Sequence, residues 1–215
     1  MEMTGLDVDK DHILEIACVV TDKKLNNVSE ELNIVIHQSD AILENMNDWC
    51  KETHTKTGLV ENSRSSTISL EEAEKMVLDF LKKHIHERSC PLAGSSVYMD
   101  RFFLYKNMPL VNNYLHYRII DVSTIKEIAR RWNPNVYNSA PKKRINHRAL
   151  DDIKESINEL KHYKKHFLLA ALSGLNTSNS PNVICTSSPG GNHAKHLNLN
   201  FSTDVAWLIS GVWRL

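Results

Sequence analysis

Two runs of β-branched and other apolar residues, separated by a short polar segment, constrain the fold most strongly. Residues 13–21 read I-L-E-I-A-C-V-V-T, and residues 32–37 read L-N-I-V-I-H. Runs of this composition predict buried strands, and the segment T-D-K-K-L-N-N that connects them predicts a turn. We therefore expect the two strands to pair antiparallel.

Signals for helices and further strands alternate after this hairpin. Ser69 and Glu72 form a capping box, and apolar residues follow at helical spacing, which predicts a helix over about 70–85. The other predicted elements are strands at 90–94 and 117–122, a helix near Asp100, a helix from a capping box at 124–127 to about 132, a loop at 133–145 and a helix after His147. Strands followed by strand–helix alternation indicate an α/β fold with a mixed sheet flanked by helices.

The chain length of 215 residues allows one domain of good size and hardly two. Residues 173–203 are rich in Ser, Asn, Thr, Pro and Gly, a composition that predicts a disordered linker. The apolar segment 201–215 is too short to form a domain. We therefore expect a folded domain over residues 1–168 and a disordered or unrelated tail over residues 169–215.

Charge and cysteine content exclude several classes of protein. The 26 Lys and Arg residues balance the 26 Asp and Glu residues, so there is no global basic field to attract long nucleic acid, and any nucleic-acid site must be local. The four cysteines are far apart and form no C-x-x-C pair, which argues against zinc and against a disulfide framework. Without a signal peptide or a membrane-length apolar segment, we expect an intracellular protein with no membrane partner.

Four side chains are candidates for chemistry. Glu2 precedes a turn, Asp100 follows a buried strand, and His147 and Asp152 flank the start of the last long helix. On that helix Asp152 lies at the edge of the apolar stripe, whereas Asp151 falls on the solvent-facing side. Asp152, and not Asp151, is therefore expected to face a cleft.

Carboxylates that converge from different elements repel one another unless a cation lies between them, and hard oxygen ligands select Mg²⁺ or Mn²⁺. Two such ions can bind the attacking and leaving oxygens of a phosphodiester, while an imidazole deprotonates the attacking water. This arrangement predicts phosphodiester hydrolysis. Each residue taken alone is more often a solvated charge, a helix cap or a histidine without a catalytic role, so spacing by itself leaves these alternatives open.

Five motifs, in order along residues 1–167, resemble those of oligoribonuclease, the small 3′-to-5′ exoribonuclease in the histidine branch of the DEDD superfamily. They read E-M-T-G-L-D (2–7), D-W-C-K-E-T-H (48–54), G-S-S-V-Y-M-D (94–100), H-Y-R-I-I-D-V-S-T (116–124) and H-R-A-L-D-D-I (147–153). The fourth motif and the spacing between Trp and His in the second are the most specific.

This resemblance implies a fold, a reaction and partners. The fold is an RNase-H-like mixed sheet, and the reaction is hydrolysis of short single-stranded RNA, about two to five nucleotides long, to nucleoside monophosphates with two Mg²⁺ or Mn²⁺ ions. A homodimer is implied as well. The segments C-P-L-A-G and A-P-K-K are similar to animal members, which implies a mitochondrial location, with the cytosol as the alternative.

The resemblance also implies roles for individual residues. Glu2, Asp100 and Asp152 are the metal-binding carboxylates, and His147 is the general base. The residues that contact RNA are Leu6 as a wedge between bases, Trp49 and His54 around the 3′ nucleotide with Ser96 close by, and His116, Tyr117, Arg118, Ser123 and Thr124 as a cap on the 5′ phosphate. The second subunit contributes part of this cap, and Tyr117 is also assigned to the catalytic group.

The chain departs from the family pattern in three places. The family reads D-L-E-M-T-G-L-D, and here Met1 stands at the Leu position, so we expect the first aspartate and most of the first strand to be missing through truncation. The tail after residue 168 does not resemble the family, and we expect it to be exposed rather than to fill the place of that strand. The third departure is G-S-S (94–96) in place of G-N-S.

Two other functions compete with the exoribonuclease. A catalytically impaired isoform, which keeps the dimer and the phosphate cap, is favoured by the absent aspartate. A DNA-proofreading exonuclease of the same superfamily is disfavoured by the H-Y-R and S-T residues of the cap.

Overall fold

The computed structural model of the chain describes residues 1–142, 147–168 and 205–207. The strands are β1 Glu2–Met3, β2 Ile13–Thr21, β3 Leu32–Val35, β4 Pro91–Gly94, β5 His116–Asp121 and β6 Val205–Trp207. The helices are α1 Asp40–Glu44, α2 Asp48–Lys56, α3 Leu59–Ser65, α4 Leu70–His84, α5 Val97–Asn107, α6 Pro109–Tyr114, α7 Val122–Trp132, α8 Pro134–Asn138 and α9 Ala149–Tyr163. A π-helical turn, Lys164–Leu168, follows α9.

The strand β2 is buried at all nine of its residues and organises the sheet. It pairs antiparallel with β3, which confirms the predicted hairpin. The second strand ends at Val35, two residues earlier than predicted. Ile36 still donates its N–H to the Leu14 carbonyl, but His37 donates to the Ile68 carbonyl, so the chain turns away from β2 at that point.

Helices cover both faces of β2. Ile16, Cys18 and Val20 pack with residues of α4 and α5, whereas Ala17 and Val19 pack with residues of α9. Because successive side chains of a strand point to opposite faces, a strand covered on both sides reads as an unbroken apolar run. The predicted mixed sheet flanked by helices is therefore confirmed.

Two short strands from distant parts of the sequence lie along β2. The strand β1 pairs antiparallel with β2 at Ile13 and Glu15, and β6 pairs antiparallel with β2 at residues 19–21. On its other side β6 pairs parallel with β4, at Leu92 and Ala93. The order among the described strands is β1-β2-β6-β4-β5, with β3 also on β2.

The expectation of an exposed tail is therefore wrong for residues 205–207. The backbone of β2 at residues 19–21 and that of β4 at residues 92–93 are both buried, and buried N–H and C=O groups must find partners. The three residues of β6 provide partners on both sides. The rest of the tail, including the predicted linker at 173–203, lies outside the described residues.

Helix starts were predicted with mixed success. The capping box of Ser69 and Glu72 is present at α4, with both reciprocal hydrogen bonds. The capping box predicted at Thr124 is wrong, because α7 begins at Val122 and is capped by Asp121, whose Oδ1 accepts a hydrogen bond from the N–H of Ser123 at 2.9 Å. Asp121, at the end of β5, caps the free N–H groups at the start of the helix, so that Thr124 lies inside the helix instead of at its cap.

Other boundaries differ in detail. The helix α5 begins at Val97, so that Asp100 lies in its first turn rather than at its start. The predicted loop at 133–145 contains the short helix α8, which Asn133 caps through its side chain, while residues 143–146 lie outside the description. Cys18, Cys50 and Cys90 are buried and not disulfide-bonded. In the part of the chain that is described, no helix is long and apolar enough to cross a membrane.

Candidate active site

Glu2 is placed by an irregularity in the pairing of β1. Its Cα lies opposite that of Glu15 on β2, and the register shifts between Glu2 and Met3. The Met3 carbonyl lies 3.0 Å from Nε2 of His54, and this imidazole is fully buried. His54 therefore contacts the backbone next to Glu2, while it was predicted to pack around a nucleotide.

Asp100 is placed by the start of α5. Ser96 precedes this helix in the left-handed conformation, with φ +53°. Its N–H donates to Oδ1 of Asp121 at 3.0 Å and to Oγ of Ser123 at 2.9 Å. These bonds attach the start of α5 to the start of α7, and they bring Ser96 and Ser123 together as part of one polar cluster. Asp100, one turn further on, is fully buried.

His147 and Asp152 are placed by the start of α9. Asp152 is 1% exposed and Asp151 is half-buried, as the position of the apolar stripe predicts. His147 has φ +48°, a conformation that an L-residue seldom adopts. Its imidazole lies edge-on to the indole of Trp49, with ring centroids 5.4 Å apart. Burial lowers the pKa of His147, so the neutral imidazole is favoured.

The three candidate carboxylates influence one another. Burial raises the pKa of Glu2 well above its usual value, and the negative charges of Asp152, Glu15 and Asp100 raise it further, while the Met1 amino group lowers it. That amino group donates a hydrogen bond to Oδ1 of Asp100 at 3.2 Å. The positive charge of this amino group therefore lies next to the negative charges of Glu2 and Asp100.

This donor set suits a hard divalent cation. Glu2 Oε1 is buried and has no hydrogen-bond partner among the described residues, as expected of an atom that binds an ion. Yet no three His, Cys, Asp or Glu side chains within the described ranges converge closely enough to enclose one ion. The chemistry of the residues fits the cation, and ligation would require the candidate carboxylates to move closer together.

A second polar surface lies on β5. The rings of His116 and Tyr117 stack with centroids 4.5 Å apart, and the Arg118 guanidinium lies 5.3 Å from the centre of the Tyr117 ring. Tyr117 is 71% exposed, and Arg118 and Thr124 are exposed too. Three of the five predicted cap residues are thus presented to solvent, whereas His116 and Ser123 are half-buried. Leu6, by contrast, packs against the core.

Three arginines and one buried glutamate near these surfaces were not predicted from the sequence as site residues. Arg88 and Arg101 line a cavity of about 510 Å³ together with His116 and Tyr117. Glu15 and Arg148 form a salt bridge at 2.6 Å between β2 and the start of α9. The acidic residue inside the apolar run 13–21 was the one available signal for this pair.

Comparison with known proteins identifies the family. A family model described as Exonuclease matches residues 1–160. Because the match spans most of the chain and the mixed sheet is consistent with it, the chain belongs to the exonuclease family and is a nuclease.

Its relatives narrow the class to oligoribonucleases. The chain is 54% identical over 164 residues to a probable oligoribonuclease of Drosophila melanogaster, covering 76% of this chain and 78% of that protein. It is 52% identical over 166 residues to the mitochondrial oligoribonuclease of Homo sapiens, with coverages of 77% and 70%. An oligoribonuclease of Marinobacter nauticus is 50% identical over 167 residues, with coverages of 78% and 92%. The predicted resemblance is confirmed, and with it the prediction of a 3′-to-5′ exoribonuclease.

Proposed function

We propose that this protein releases nucleoside monophosphates from the 3′ ends of RNA chains of two to five nucleotides with the help of two divalent cations. The observation that supports this most strongly is that three buried carboxylates, from β1, α5 and α9, lie near enough for the charges of Asp100 and Asp152 to raise the pKa of Glu2. Glu2, Asp100 and Asp152 would hold Mg²⁺ or Mn²⁺, which supply positive charge to a phosphodiester in hydrolysis.

His147 is the proposed general base. Because burial lowers its pKa, its imidazole is neutral near pH 7 and can accept a proton from the attacking water. The edge-on contact with Trp49 restricts the ring, and an imidazole that is already oriented reacts faster than one that must rotate into place.

Substrate contacts follow from the surfaces around this base. The indole of Trp49 is 43% exposed and offers a face for a base to stack on. Leu6 and His54 were predicted to join this nucleotide site, but the buried His54 would support its backbone instead of contacting a base. Ser96 and Ser123 offer hydroxyl groups that are 3.2 Å apart for contacts to the phosphate or sugar.

The surface on β5 is the proposed cap for the 5′ phosphate. Arginine gives charge-assisted hydrogen bonds to a phosphate better than any other side chain, and here Arg118 directly follows His116 and Tyr117, while Thr124 lies in the first turn of the next helix. Arg88 and Arg101 add positive charge in the adjoining cavity. A cap that requires a terminal phosphate close to the 3′ site selects short chains.

A homodimer would place this cap over the site of the second subunit. One face of α5 exposes Tyr98, Phe102 and Tyr105, and Leu110 of α6 is exposed close by in the sequence. An exposed group of large apolar side chains is typical of an interface. Size-exclusion chromatography with light scattering should give twice the chain mass, and Phe102→Glu should give a single chain mass.

An impaired subunit remains the second candidate, for a specific reason. The carboxylates of the described residues do not converge on one point. A protein that keeps the cap and the dimer surface but binds ions weakly would bind short RNA without cleaving it.

One experiment separates these candidates. A 5′-phosphorylated RNA dinucleotide is incubated with the full chain and Mn²⁺, and mononucleotides are measured by chromatography. Release by the wild type, with loss of turnover but not of binding in His147→Ala, supports the exoribonuclease. His37→Ala, an exposed histidine, is the matched control. Binding without release supports the impaired subunit, and preference for a DNA dinucleotide contradicts the RNA assignment.

The location of this protein is also a proposal. The human and mouse relatives are described as mitochondrial. We infer a mitochondrial location for this chain from that similarity, and imaging of the protein expressed from its complete gene would test it.

A further inference from the structure

Glu15 is a buried carboxylate that the reaction proposed above does not use. It lies in the middle of β2, is fully buried, and accepts hydrogen bonds at both oxygens. Oε1 accepts from Nη2 of Arg148 at 2.6 Å and from the side chain of Asn33 at 3.2 Å. Oε2 accepts from the N–H of Ala149 at 2.9 Å. With both oxygens engaged, Glu15 is not a candidate ligand for a cation.

These contacts fix the first turn of α9. The residue before this helix, Arg148, provides no side-chain cap of its own. The carboxylate of Glu15, on the neighbouring strand β2, caps the helix instead, because it accepts a hydrogen bond from the free N–H of Ala149. The N–H of Asp152 then donates to the Arg148 carbonyl at 3.1 Å and closes the first turn.

The same contacts connect three residues of the active site. Glu15 lies opposite Glu2 across the β1–β2 pair. Arg148 follows His147 directly, and Asp152 is one turn further along α9. His147 has a strained backbone with φ +48°, and such a conformation persists only where its neighbours are held firmly.

We propose that Glu15 is a positioning residue that, through Arg148, holds His147 and Asp152 in their working places relative to Glu2. This inference rests on the proposed function for its effect on turnover, although not for its effect on the helix. The guanidinium of Arg148 also balances the charge of Glu15. The pair therefore adds no net negative charge next to the carboxylates that would bind a cation.

The test begins with Glu15→Gln, which keeps the shape of the side chain and removes its charge. With a 5′-phosphorylated RNA dinucleotide, we expect kcat to fall roughly 10- to 100-fold while KM stays within about twofold, because small displacements of a catalytic group reduce turnover on this scale. Glu31→Gln is the matched control, since Glu31 pairs with Lys154 of the same helix at 2.9 Å but is exposed. It should leave kcat unchanged.

Glu15→Gln could lower turnover by destabilising the protein instead of by displacing His147 and Asp152, and two further variants separate these effects. Ile157→Val, in the core side of α9, lowers the melting temperature without touching the site and should keep kcat. The double variant Glu15→Gln with Arg148→Met removes the buried charge of Glu15 together with its partly buried partner, so it should recover melting temperature but not kcat. Recovery of kcat along with melting temperature would overturn the proposal.

A double-mutant cycle tests whether Glu15 acts through His147. In the His147→Ala background, Glu15→Gln should reduce turnover by a clearly smaller factor than in the wild-type background, because one of the two residues that it positions is already gone. An equal factor in both backgrounds would contradict the proposed route.

Hydrogen exchange decides the structural part without any activity. The amides of Ala149 and Asp152 should exchange at least about tenfold faster in Glu15→Gln than in the wild type, and at the wild-type rate in Glu31→Gln. Unchanged exchange at both amides would overturn the proposal. If the wild type cleaves no RNA, the proposed function fails, and this measurement still shows whether Glu15 holds the start of α9.

Discussion

The indole of Trp49 meets the imidazole of His147 edge-on, with ring centroids 5.4 Å apart and ring planes at 89°. This contact joins α2 to the segment that precedes α9, and it excludes water from one side of the imidazole. Burial is what lowers the pKa of His147 below its ordinary value of 6.5. Because Trp49 covers part of this ring, we propose that it contributes to the lowered pKa of His147 as well as to RNA binding.

The pH dependence of turnover should report this effect. With a lowered pKa, His147 becomes neutral, and active as a base, at a pH below that of an ordinary histidine, so kcat should fall only on the acid side of 6.5. In Trp49→Ala, water reaches the ring, its pKa returns upward, and the acid limb of the profile moves to higher pH. An acid limb at the same pH in both proteins would show that Trp49 does not shield the base.

Arg118 should discriminate between substrates with and without a 5′ phosphate. In Arg118→Ala, binding of a 5′-phosphorylated RNA dinucleotide should weaken by roughly 1.5–3 kcal/mol, the range for a hydrogen bond to a charged group. Binding of the 5′-hydroxyl dinucleotide should change little. Calorimetry with both ligands measures this difference, and Arg130→Ala, which removes an exposed charge paired with Glu127, is the control. An equal loss for both dinucleotides would refute the cap.

Asp152 should have opposite effects with and without a divalent cation. Asp152→Asn removes a negative charge that raises the pKa of Glu2, so it should raise the melting temperature of the protein in a chelating buffer. A bound ion stabilises the folded state in proportion to its affinity, and the variant should lose the increase that Mn²⁺ gives the wild type. Thermal melts with EDTA and with Mn²⁺ measure both. Asp151→Asn is the neighbouring control, and an equal response to Mn²⁺ in both variants would remove Asp152 from the metal site.

The strand β6 should contribute to stability through its backbone. Ala206 lies opposite Val20 of β2 and Leu92 of β4. Proline has no N–H, so Ala206→Pro should lower the free energy of unfolding by about 1–3 kcal/mol, the cost of an unsatisfied buried group. Urea denaturation measures the change, and Ala194→Pro in the predicted linker should have none. Identical midpoints for the two variants would mean that β6 is not needed in the sheet.

Local signals predicted the elements that they control. The strand at 13–21 and the helix after Ser69 and Glu72 were predicted correctly, because a buried strand and a capped helix are specified by residues close together in the sequence. The start of α7 was predicted three residues late, since Asp121 and Thr124 are both suitable caps and only the end of β5 decides between them. The placement of Asp152 followed from helical periodicity alone.

Long-range pairings could not be predicted in this way. The salt bridge of Glu15 with Arg148 joins residues from opposite ends of the domain, and nothing in either local sequence names its partner. The cavity beside Arg88 and Arg101 likewise depends on how three segments meet. The position of β6 could not be predicted either, because it depends on the unpaired backbone N–H and C=O groups of both β2 and β4.

The position of β6 also has a consequence for the time course of folding. Val19 of β2 leaves the ribosome long before its partner Trp207, which is made only after the other described elements have been translated. Contacts between such distant positions form late, since the loop that they close carries a large entropic cost. Until β6 is synthesised, β2 and β4 of a nascent chain would therefore lack a pairing partner at these residues. Another chain could pair with their exposed edges before β6 does so.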